Sequence, residues 1–107
     1  MRFKVIVGDG VYAVEVPPDA LEDGTEFFAR IDRDMDRGWQ MSREYVERPD
    51  CTQRCQIAAD RLFTSIMNGN HATAAMMAAY IATRMPGVIG VDVDTAGEMQ
   101  NTELLYA

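Results

Sequence analysis

Cys51 and Cys55 are the only cysteines in the chain, and their spacing puts them one turn apart on a helix. Asp50 ahead of them is a good N-cap, so Cys51 falls in a first helical turn, where the helix dipole favours a thiolate. That placement is compatible with a reactive or redox thiol. The structural alternative makes Cys55 a small core residue and Cys51 a partly exposed one. A zinc site needs four ligands. His71, the sole histidine, lies ~25 Å from Cys51 at the other end of a helix rising ~1.5 Å per residue. The candidate thiols are therefore Cys51 and Cys55, with no metal, catalytic or cofactor residue assigned. His71 has no sequence neighbour that could position it for acid–base work.

Two further patterns invite chemistry and fail on context. Gly8-Asp9-Gly10-Val11-Tyr12-Ala13 matches a loose dinucleotide-binding pattern, which must open a helix. Strand-forming residues follow instead. Asp32, Asp34 and Asp36 suggest a calcium loop, but Arg37 stands where that loop needs glycine and Arg43 where it needs a bidentate glutamate. In a helix Asp34 points away from Asp32 and Asp36, and the charges form surface pairs such as Arg30 with Asp34. Of the methionines, Met35 and Met67 fit a core, whereas Met41 falls near a polar helix face. The candidate interaction surface is Met41, Met77, Leu104, Leu105 and Tyr106.

The elements that would position these residues are legible from periodicity. Residues 2 to 16 read as a hairpin turning at Asp9-Gly10. This pairs Val7 with Tyr12, Val5 with Val14 and Phe3 with Val16 on one face, and Lys4 with Glu15 on the other. Pro17-Pro18 ends the ladder, and residues 19 to 24 read as a short turn. A long helix is expected from Thr25 to Pro49, with Phe28, Ile31, Met35, Trp39, Ser42 and Val46 as its stripe. A second runs from the Asp50/Gln53 capping box to about Met67. Asn68-Gly69-Asn70 links it to an antiparallel third, about 71 to 85, which is apolar nearly all round. Val88 to Asp94 alternates as a third strand, with Ile89, Val91 and Val93 inward. The tail from 95 holds a possible Thr95/Glu98 cap.

The expected fold is α+β in the order ββαααβ: a small antiparallel sheet with three helices on one face. Residues 1–94 form one domain, and 95–107 a tail, docked or flexible. A chain of 107 residues can bury a core unaided. A net charge of −7 argues against nucleic acid and anionic membrane as partners. No apolar run reaches transmembrane length. Gly8-Asp9-Gly10 interrupts any signal peptide, and two cysteines without one suggest a reducing cytoplasm. The functional expectation is a small acidic accessory or protein-interaction module, without catalysis or cofactor. Its partner is a protein, and a homodimer is the expected state. The alternative is a thiol-based redox or metal-responsive protein using Cys51 and Cys55.

Overall fold

The computed structural model describes all residues from 1 to 107. Strands β1 (Arg2–Val7) and β2 (Gly10–Glu15) form the opening hairpin. The turn centres on Gly8 and Asp9, one position earlier than the sequence reading. Gly8 has φ +59°, while Asp9 does not enter positive φ, the pattern of a type II′ turn. The pairs become Val7–Gly10, Val5–Tyr12, Phe3–Val14 and Arg2–Glu15. Moving the turn by one residue shifts every partner by two, so the faces survive. Phe3, Val5 and Val16 are buried, and Lys4 and Glu15 are exposed. Lys4 now faces Ala13, and Arg2 becomes the register partner of Glu15.

Helix α1 (Pro18–Asp23) replaces the expected turn, with proline at its start, where a missing N–H costs nothing. Helix α2 (Thr25–Asp36) buries Phe28, Ile31 and Met35, as their spacing predicts. It stops at Asp36 instead of running to Pro49. Gly38, at φ +96°, takes a conformation that ends a helix and suits only glycine well. Strands β3 (Trp39–Met41) and β4 (Glu44–Val46) follow as a separate two-stranded sheet. Tyr45 Oη donates to the Arg37 carbonyl at 2.8 Å, and its ring occupies the space that a Cβ on Gly38 would need. Met41 is fully buried there, because β3 turns it inward, away from the surface expected for it.

Helix α3 (Cys51–Met67) begins with the Asp50/Gln53 capping box. Helix α4 (His71–Arg84) begins at Asn70, whose side chain accepts from the Thr73 amide. Both caps were readable in the sequence. The apolar surround of α4 is absorbed within the chain: Ala74 and Met77 through Ile81 are buried among α3, α1 and the sheet. Met77 is therefore core, not interaction surface.

Strand β5 (Val88–Val93) lies beside β1 and parallel to it, so the sheet is mixed, not antiparallel. Alternation of apolar residues is blind to strand direction, since either direction buries the same face. A bulge at Val88–Gly90 buries Val88 and leaves Ile89 exposed, against the expected alternation. The tail docks: a 3-10 turn (Met99–Asn101) leads into β6 (Glu103–Tyr106), antiparallel to β5. The expected Thr95/Glu98 cap does not form; the Asp94 carboxylate instead accepts from the amides of Ala96 and Glu98, tying the turn that precedes the 3-10 segment. The four-stranded sheet reads β2-β1-β5-β6. The architecture is α+β, ordered ββααββααββ, with one core cluster of 21 buried apolar residues.

Candidate functional site

The densest polar constellation joins three helices at Asp32. From α4, Tyr80 Oη donates to Oδ1 at 2.5 Å, and Arg84 donates through Nε and Nη2 to Oδ2 at 3.1 and 2.8 Å. From α3, Arg54 donates to Oδ1 at 3.2 Å and reaches Asp36 at 2.7 Å. Its Nε also donates to the Pro49 carbonyl at 2.9 Å. Arg84 stacks its guanidinium over the rings of Phe28 and Tyr80, 5.8 and 5.2 Å from their centres. Partial burial opposes ionisation of Asp32, but the hydrogen bonds from Tyr80, Arg84 and Arg54 outweigh it and hold its pKa below the ordinary value. Burial, with help from Asp32, pushes the Tyr80 phenol upward. Two carboxylates and two guanidiniums cancel in charge. Both oxygens of Asp32 are engaged, so the cluster ties the three helices together as a structural knot. Asp32 and Asp36 lie on α2 and are turned onto arginines.

The sulfur-bearing side chains adjoin this knot. Cys51 is exposed at the start of α3 and Cys55 is buried. Burial pushes the Cys55 thiol up to about 12, with Cys51 adding to the shift and Arg84 opposing it. Cys51 Sγ donates to the Arg84 carbonyl at 3.4 Å and lies 3.3 Å from Met85 Sδ. Spacing along the sequence points to both thiols but not to Met85, which sits 34 residues away just beyond α4. An intrahelical disulfide is disfavoured, since Cβ atoms four apart on a helix stand ~5–6 Å apart and a disulfide needs ~3.5–4.5 Å. No group of three or more His, Cys, Asp or Glu side chains is placed to hold an ion.

The second feature surrounds the edge strand β2. Met1 and Val16 exchange two backbone hydrogen bonds, at 2.8 and 3.0 Å. Alternation along the ladder then makes Phe3–Val14, Val5–Tyr12 and Val7–Gly10 the bonded pairs. The N–H and C=O groups of Val11, Ala13 and Glu15 therefore point away from the sheet. Val11 is 64% exposed, and the strand carries neither proline nor lysine to guard it. A recess lies on each face. On the helix side, about 320 Å³ is enclosed by Tyr12, Val14, Ile66, His71 and Ala74. On the outer side, about 270 Å³ is bounded by Arg2, Lys4, Val11, Ala13 and Ile89. Of the expected interaction surface in the tail, Leu104 packs against the core, Leu105 is half-buried and Tyr106 is exposed. His71 serves as a wall of the helix-side recess.

No family model matches the chain, and no curated protein or solved structure matches it significantly.

Proposed function

We propose that this chain is a small acidic interaction module that captures an extended segment of another protein along β2. The observation that carries this reading is the pair of recesses flanking one unguarded edge. A strand added to β2 sends alternate side chains to opposite faces, and each face has a recess to take them. Backbone bonds to Val11, Ala13 and Glu15 would supply affinity, and the recesses selectivity. The helix-side recess, walled by Tyr12, Val14, Ile66 and Ala74, suits an apolar side chain. The outer recess presents Arg2 and Lys4, neither in an ion pair, and suits a carboxylate. The fitting segment alternates apolar and acidic residues.

Selection from a random decapeptide phage library tests this. Selected peptides should alternate in that way. Ala13→Pro should abolish capture while leaving the far-ultraviolet circular dichroism unchanged, because it removes an outward N–H and no ladder bond. Capture that survives Ala13→Pro, or a selected set without alternation, would defeat the reading. So would self-pairing of the chain, in sedimentation equilibrium, that Ala13→Pro disrupts, because the second copy would then be the occupant.

A further inference from the structure

Three soft donors converge where α3 begins and α4 ends. Cys51 Sγ is 3.3 Å from Met85 Sδ, and the Cys55 thiol, one turn further along the same helix, is close enough to interact with Cys51. With metal–thiolate bonds of ~2.3 Å, one ion can span sulfurs as much as ~4.6 Å apart. The geometry points to a copper(I) site formed by Cys51, Cys55 and Met85, independent of the strand-capture surface.

The donor set selects the ion. Thiolate and thioether are soft ligands. Structural zinc and iron–sulfur centres take four protein donors, and this corner offers three. Asp32 and Asp36 are committed to Arg54 and Arg84, and Asp50, next to Cys51, caps α3 by accepting from the Gln53 amide. A three-sulfur set without hard donors suits a monovalent soft ion, which accepts low coordination numbers. Binding breaks two S–H bonds, forms Cu–S bonds to both thiolates, adds the Met85 thioether as a neutral donor, and releases two protons to solvent. No electron moves, so copper must arrive already reduced. The product carries one negative charge beside the Arg84 guanidinium. Cys51, being exposed, is the entry ligand.

Anaerobic titration of the reduced protein with copper(I), against the chelator bicinchoninate, tests the assignment. One ion per chain should be retained, with three sulfur neighbours by X-ray absorption. Cys51→Ser should abolish retention. Met85→Leu conserves volume and fold. It should leave two sulfur neighbours and weaken binding by about 10-fold or more. Loss of copper to the chelator in the unmodified protein would overturn the proposal. Binding by Met85→Leu at undiminished affinity would also overturn it, because two thiols alone would then account for the copper.

Discussion

The Asp32 carboxylate takes hydrogen bonds from Tyr80, Arg84 and Arg54, so removing its charge orphans three donors at once. Asp32→Asn keeps the shape, leaves Arg84 without its counter-ion and leaves Arg54 with Asp36 alone. The expected cost is about 2–3 kcal/mol, read as a fall in the urea midpoint. The pH dependence has a definite sign. The folded pKa lies below the unfolded one, so the contribution is present above the ordinary aspartate value and fades as pH falls through the folded value. Stability of the Asn variant should therefore fall less steeply below about pH 4. Equal acid limbs in the two proteins would show that Asp32 is not held ionised. These partners were illegible in the sequence, because they lie 22, 48 and 52 residues away. Local spacing offered only Arg30 with Asp34. What spacing did reveal at this scale was Cys51 exposed and Cys55 buried on one helix.

Between elements, the fold turns on where α2 stops. Trp39, Ser42 and Val46 continue the apolar steps of α2, and this reading hid the β3–β4 hairpin. Three-residue strands are too short for their own period to stand out from a helical stripe. The stronger signal was Gly38, whose φ of +96° lets Trp39 leave the helix axis and Tyr45 fold back over it. Gly38→Ala puts a methyl group into the Tyr45 ring at a backbone conformation that costs ~1–3 kcal/mol for other residues. The variant should lose that much stability and lose the Tyr45–Arg37 contact, seen as faster exchange of the β3–β4 amides. Unchanged exchange would mean that Gly38 does not set the hairpin. The caps of α3 and α4 were fully legible, because an N-cap acts within three residues of itself. Hairpin faces were legible too, whereas the turn position was not: Gly8-Asp9 and Asp9-Gly10 are both turn-forming pairs and give the same parity.

Across the whole molecule, the question is whether the small sheet and the tail unfold with the core. Met41 and Val46 join the β3–β4 hairpin to the core cluster. The tail is tied by Gln56, buried on α3, whose Nε2 donates to the carbonyls of Gln100 and Thr102 at 2.9 and 3.1 Å. Ser42 Oγ accepts from the Met99 amide at 2.9 Å, linking the tail to the hairpin turn. None of these ties has a sequence period, which is why 95–107 read equally well as docked or flexible. Together they argue for one cooperative unit. Gln56→Ala leaves two carbonyls without a donor, at a cost of about 1–3 kcal/mol. In a single unit, that loss moves every probe alike. Trp39, the only tryptophan, reports the hairpin by fluorescence, and far-ultraviolet circular dichroism reports the helices. Their urea transitions should coincide in the parent protein and shift by equal amounts in Gln56→Ala. If fluorescence moved and dichroism stayed, the hairpin and tail would form a separate, weaker unit resting on the α3–α4 core.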